Sequence, residues 1–343
     1  MDGQKYPKIP AYVSLFLLVF LLLSCQPGRD PSLTQMETPV QKSLTAAPDQ
    51  VKPSQDLTPT KQLPVVDAPA TAPQPHIVQL ENGYLTSTEL ILRDENHNDR
   101  DPSQWSSWPV LPELNPYLIE VFQRGIRQGK QSDRFSVVGD CQSLPNVFLG
   151  LFDTSKITLS DQDASLGETI TYYQGAFSHQ SLTVIDGLSP PTALSPMWND
   201  PAVCHAAESP LDCEFRINQP SILFINLGSN WQKDASLASY EKYMRQIIEF
   251  SLAEGVIPIL STKVDNVEGG HRINALTASL ASEYQIPLWN FWRAADGLEN
   301  HGLDEERDSV YLSTQAWGVR SFSALRVLDS LYHFLHLEGG SDA

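Results

Sequence analysis

Basic residues are scarce in this 343-residue chain: 23 Lys and Arg stand against 41 Asp and Glu, for a formal net charge of −18. No Lys/Arg cluster or basic stripe with interleaved aromatics occurs, which argues against nucleic acid as a partner. The same acidity argues against peripheral binding to anionic lipid. Cysteine is sparse too: there are four, none in a CxxC or paired Cys/His spacing, so no structural metal site is encoded and no cofactor is implied. No internal repeat occurs. The longest apolar run, residues 12–23, falls short of the ~20 residues of a membrane-spanning helix.

That run follows Lys5 and Lys8 and ends in Leu22-Leu23-Ser24-Cys25, the layout of an export signal. A small residue directly before a cysteine resembles the lipobox of bacterial lipoproteins. The resemblance implies that residues 1–25 carry a signal peptide, that Cys25 is the lipidated residue and membrane anchor, and that the rest is extracytoplasmic. The alternative is an uncleaved N-terminal anchor. Residues 26–75 are rich in Pro, Thr, Gln, Ser and Asp, with too few apolar side chains to bury a face, so they read as a disordered tether. A lead-in segment, 76–104, precedes one domain at 105–343, long enough for a well-buried core. Cys204 and Cys213, nine positions apart in a loop-like stretch of an exported chain, fit a disulfide.

Apolar runs of strand length recur at 135–138, 182–185, 222–227, 256–260 and 286–291. They are continuous rather than alternating, as in strands covered on both faces. Helical periodicity lies around them at 115–128, 235–253, 272–284 and 315–337. This alternation predicts parallel strands and a three-layer α/β/α sandwich, with functional groups at the carboxyl ends of the strands. Cys141, Gly187, Asn230, Ser261 and Trp292 follow strand ends and belong on that rim. The long connection 189–219 reads as a shaper of a cleft.

The run FSVVGDCQS, residues 135–143, reads as a strand that stops at Gly139-Asp140 and delivers Cys141 to a helix start, where backbone N–H groups and the helix dipole favour a thiolate. The plain alternative is a buried, inert cysteine. Asn230, after Gly228-Ser229, can aim its carboxamide at a developing oxyanion, with the backbone N–H groups of Cys141 and Gly187 as further donors. Alternatively Asn230 caps a helix and Gly187 permits a turn.

Taken together, Val138-Gly139-Asp140-Cys141, Gly187, Gly228-Ser229-Asn230 and Asp308-Ser309-Val310-Tyr311 resemble, in order and spacing, the four blocks of the SGNH or GDSL-type hydrolases. The resemblance runs over about 135–320. It implies a flavodoxin-like parallel sheet, acyl-ester hydrolysis on a small-molecule or glycan ester, a catalytic set of Cys141, Asp308 and Tyr311, and an oxyanion hole of Cys141, Gly187 and Asn230. Two positions depart from the family pattern: Cys141 stands where it has the nucleophilic serine, and Tyr311 where it has the catalytic histidine. Tyrosine, of reference pKa ~10, is a poor general base at neutral pH, so activation of water for deacylation is in question. The alternative is a catalytically inactive relative that binds an acylated or glycan ligand. His271 and His301 are substitute-base candidates in loops, with His179 and His205 lacking context. Ser143 is a fallback nucleophile better read as a packing residue. Trp198, Trp231, Trp289, Trp292 and Trp317 suit sugar rings or acyl groups at the rim, or the core. Oligomeric state is not encoded.

Overall fold

The computed structural model describes residues 100–155, 157–231, 233–307 and 310–338. Cys25, the export segment, the 26–75 stretch and Asp308 lie outside the described residues. All described residues belong to one of the chain's two compact units, Tyr84–Ala343. No helix among them is long and apolar enough to cross a membrane.

Four strands, β1 (Gln131–Gly139), β2 (Pro220–Asn226), β3 (Ile257–Ser261) and β4 (Leu288–Trp289), form one parallel sheet in that order. Val138 pairs with Ile225, Ile222 with Ile257, and Ser261 with Trp289. The apolar stretches of β2 and β3 are buried on both faces, which is why their sequences run on without alternation. Among the described residues, six helices of seven or more residues surround them: α1 (Tyr117–Arg127), α2 (Leu166–Tyr172), α3 (Pro210–Asn218), α4 (Leu237–Ala253), α5 (Arg272–Tyr284) and α6 (Thr314–His333). The crossover helices α4 and α5 pack together and against β3, while α6 packs with α2. This is the expected α/β sandwich.

The expected strand at 182–185 is reduced to a single bridge between Val184 and Gly139. Its own side chains explain the shortfall. The Val137 N–H donates to Ser181 Oγ (2.9 Å), and the Val137 carbonyl accepts from Thr183 Oγ1 (2.7 Å), so hydroxyls replace ladder bonds. The bridge keeps its place in the sheet all the same. Backbone bonds of 3.1 Å join Gly139 N–H to the Thr183 carbonyl and Ile185 N–H to the Gly139 carbonyl. Counted as a strand, this segment makes the order 2-1-3-4-5, the flavodoxin arrangement. The last strand is also shorter than its apolar run, because the Asn290 side chain accepts from Arg293 N–H and starts a helical turn at Phe291–Ala294.

Aromatic rings fill the centre. Phe148 stacks on Trp289 at 5.9 Å, and Phe224 meets both Phe135 and Trp289 edge-on. Trp289 is fully buried with its indole N–H on Ser323 Oγ (3.1 Å), so it is a core residue. In the 189–219 connection Cys204 and Cys213 form a disulfide with a Cα separation of 5.5 Å. Ser209 and Asp212 close a capping box on α3 beside it.

Candidate functional site

At the carboxyl rim of the sheet the turn carrying Cys141 meets Asn230 and the loop carrying Tyr311. At the end of β1 only glycine fits position 139, since a Cβ there would lie 2.3 Å from Ser143 Oγ. The chain then tightens into one 3-10 turn, Cys141–Ser143, capped by Asp140, whose Oδ1 accepts from Gln142 N–H at 3.0 Å. No α-helix follows, contrary to the sequence expectation. Pro145 favours an extended Leu144, and Leu144 has ψ 144°. Cys141 therefore gains local backbone dipoles, without the macrodipole of a helix. It is a reduced cysteine with 7% exposure. Gly187 has φ 72°, the left-handed region.

At the end of β2, Gly228 takes φ 127°, and a Cβ would press on Ile273 (2.9 Å) and the Lys263 stem (3.1 Å). Asn230 follows, and its Nδ2 donates to Asp140 Oδ2 at 2.9 Å. This bond ties the second-strand block to the cysteine turn. It engages one of the two carboxamide hydrogens. The oxyanion role expected of Asn230 therefore rests on the other.

The fourth block reaches the same turn through a residue that the sequence reading passed over. Gln142 is 6% exposed; its Nε2 donates to the Val310 carbonyl (2.9 Å) and its Oε1 accepts from Leu312 N–H (2.8 Å). Tyr311 lies between these two anchors. It is partly buried, with the Arg307 guanidinium 3.8 Å from its ring centroid.

Behind the turn stands a second unanticipated residue, Arg320 of α6. It donates to the Gln142 carbonyl (2.5 Å) and to Ser143 Oγ (3.4 Å), and its guanidinium lies 4.6 Å from the Phe148 ring centroid. Burial lowers its pKa to about 10, with the facing Asp140 opposing, and it remains a cation at neutral pH. Burial holds the Asp140 carboxyl above its ordinary range. Arg320, the Gln142 amide and Asn230 pull it down, while nearby Asp265 adds to the rise. Ser143 is 2% exposed and engaged by Arg320 and Asn226, so it serves packing.

A buried charge cluster backs Asn230. Lys263 Nζ contacts Asp265 Oδ1 (2.5 Å) and Glu268 Oε2 (2.7 Å), and Ser229 Oγ donates to Asp265 Oδ2 (2.6 Å). Lys263 and Asp265 line, with Asp140, Gln142, Asn226 and Arg320, a cavity of about 30 Å³. That space holds a water or two.

His271 and His301 both contact the Trp292 ring, at 5.9 and 4.6 Å, and both have positive φ. Burial depresses the His271 pKa, Lys263 and His301 add to the fall, and Glu268 and Asp265 oppose it. His179 is bound to buried Glu214 (2.8 Å), a structural tie that also holds Leu182 N–H and Ser136. The His205 backbone N–H bonds to Glu208 in the disulfide loop. Trp231 packs on Tyr240, Trp292 on Trp105, and Trp198 is 54% exposed.

The parallel sheet in flavodoxin order carries the Gly-Asp-Cys turn, the Gly-Ser-Asn turn and the Val310–Leu312 loop to one point on its carboxyl rim. It is an SGNH/GDSL hydrolase-type fold. No family model and no curated protein matches the sequence. Among solved structures the chain is similar to the psychrotrophic esterase EstA from Pseudoalteromonas sp., in a form inhibited by monoethylphosphonate; sequence identity is 12%, covering 59% of this chain and 100% of that one, with a TM-score of 0.40. It is also similar to a GDSL-like lipase from Bacteroides thetaiotaomicron, at 12% identity over 62% of this chain and 98% of that one, with a TM-score of 0.37. Scores of this size add no weight to the geometry above.

Proposed function

We propose that the chain is an extracytoplasmic, lipid-anchored hydrolase of the SGNH/GDSL type that cleaves ester bonds, with acetyl groups on envelope glycans as its substrate class, through Cys141. The observation that supports this reading is the Asp140–Asn230 bond of 2.9 Å, which joins the nucleophile turn to an amide donor at the carboxyl rim. The Cys141 thiolate attacks the ester carbonyl: a C–S bond forms, the C–O bond breaks, and the alkoxide leaves with a proton. Water then cleaves the thioester, returning the thiol and a carboxylic acid. The backbone N–H groups of Cys141 and Gly187 and the second Asn230 N–H receive the oxyanion. With Tyr311 in the histidine position, thioester hydrolysis is the slow step.

The test uses the full chain with an activated acetyl ester, followed by intact mass and product release. A mass gain of one acetyl group at Cys141, slow turnover, and loss of both in Cys141→Ala are expected. Equal product release by the two proteins removes Cys141 from the reaction. The position of Tyr311 favours a second reading, an acylated-ligand binder without turnover. Under that reading no adduct forms, and Cys141→Ser with Tyr311→His is the variant that gains hydrolysis.

A further inference from the structure

Six large apolar side chains are exposed among the described residues, and three of them, Met197 (90%), Trp198 (54%) and Val203 (47%), fall within seven positions of the 189–219 connection. A loop that leaves Met and Trp in water would ordinarily fold them inward. Here it is prevented from doing so. The disulfide Cys204–Cys213 closes its base, and the Asn199 carboxamide donates to both the His205 and Glu208 carbonyls at 2.9 and 2.8 Å. Glu208 takes two bonds from the Arg216 guanidinium, which also reaches the Val203 carbonyl (3.1 Å). A short 3-10 turn, Pro196–Trp198, carries the Met-Trp pair. An exposed apolar tip fixed in advance loses little conformational entropy on docking, which is what a contact surface requires.

We propose that Met197, Trp198 and Val203 form a knuckle that rests on the surface of a lipid bilayer; this rests on the reading that the chain is lipid-anchored. Seventy-four positions, 26–99, separate Cys25 from the first described residue. At no more than about 3.5 Å per residue these span at most about 260 Å, so a lipid on Cys25 keeps the domain within a bounded reach of the membrane and the docking is intramolecular. Trp with an apolar body and a polar N–H suits the headgroup boundary, and Met supplies adaptable apolar surface. Next to the knuckle the Arg216 cation is balanced by Glu208, which leaves Asp200, and the whole chain is strongly acidic. The favoured surface is therefore zwitterionic, and anionic lipid weakens the contact.

The full lipidated chain reconstituted in phosphatidylethanolamine/phosphatidylcholine vesicles is treated with hydrogen peroxide, and sulfoxide at Met197 is followed by mass spectrometry. Met244, 1% exposed, reports intact folding by staying unoxidised. Met197 oxidation should slow on the order of tenfold against the same chain without vesicles, as for a knuckle docked about nine-tenths of the time. Trp198→Ser should bring the protection below about twofold, and added phosphatidylglycerol should reduce it. Equal Met197 oxidation with and without vesicles, in a chain that floats with them, overturns the knuckle. A chain that does not float with the vesicles overturns the anchor and takes the proposal's ground with it.

Discussion

Replacing Gln142 by leucine tests whether the loop carrying Tyr311 is held to the cysteine turn by this one side chain. Leucine is close in volume, so the change mainly removes polar partners. It leaves Leu312 N–H, in a residue 4% exposed, without its acceptor at 2.8 Å, and the Val310 carbonyl without its donor at 2.9 Å. An unsatisfied buried donor costs about 1–3 kcal/mol, and a lost bond to a part-exposed carbonyl about 1 kcal/mol, so the total is about 2–4 kcal/mol. Urea unfolding of the full chain reads the total as a lower midpoint at unchanged slope. Amide exchange reads the location. The Leu312 amide, protected in the parent, should exchange faster by a factor on the order of ten or more, while the β2 amides follow the global change. A loss below about 0.5 kcal/mol with the Leu312 amide still protected would refute the clamp, and with it the convergence of the first and fourth stretches through Gln142.

Arg320→Met should destabilise by about 3–5 kcal/mol at neutral pH, because it leaves the Asp140 carboxylate buried without its facing cation. The folded Asp140 pKa is raised, so the native state binds more protons than the unfolded chain between the two values, and this group's contribution falls as pH rises from about 4 through the raised value. Removing Arg320 raises the Asp140 pKa further; the variant's penalty should shrink below pH 5, and equal penalties at pH 4.5 and 7.5 in urea titrations would count against the pairing. Reducing the disulfide, or Cys204→Ser with Cys213→Ser, should cost about 2.5–3 kcal/mol from the short loop closed, measured by thermal unfolding.

The strands and helices were largely legible because each is a continuous apolar run or a stretch with apolar returns at three and four positions. The exceptions have local causes that hydropathy does not carry: hydroxyls at Ser181 and Thr183 consume the ladder bonds of β1, and the Asn290 side chain ends β4 early. Gly139, Asp140 and Asn230 stand out in sequence because they sit at strand ends with turn residues. Gln142 gave no such signal, since its role lies in two backbone groups about 170 residues away. Arg320 did leave a mark. It falls on the buried stripe of α6 with Ala316, Ala324 and Leu328, and a charge on an apolar stripe requires a buried partner.

The departures at Cys141 and Tyr311 bear unequally on the chemistry. The polar frame beneath them consists of Asp140, Arg320, Lys263, Asp265 and Glu268, each at most 9% exposed. Burying five charged groups is expensive compared with packing apolar side chains in their place, so the frame is better explained by what it fixes than by stability. It fixes the cysteine turn through Arg320 and the Gly-Ser-Asn turn through Asp265, and it joins them through Asp140. Donors held this way are oriented before any substrate arrives, and that contribution is indifferent to whether the attacking atom is oxygen or sulfur. A thiol also needs less help from a base than a hydroxyl does, because a few per cent of an ordinary thiol is already ionised at neutral pH and its sulfur is intrinsically the stronger nucleophile. On the proposed reading, acylation tolerates both changes, and the whole burden of the missing imidazole falls on the water that must cleave the thioester.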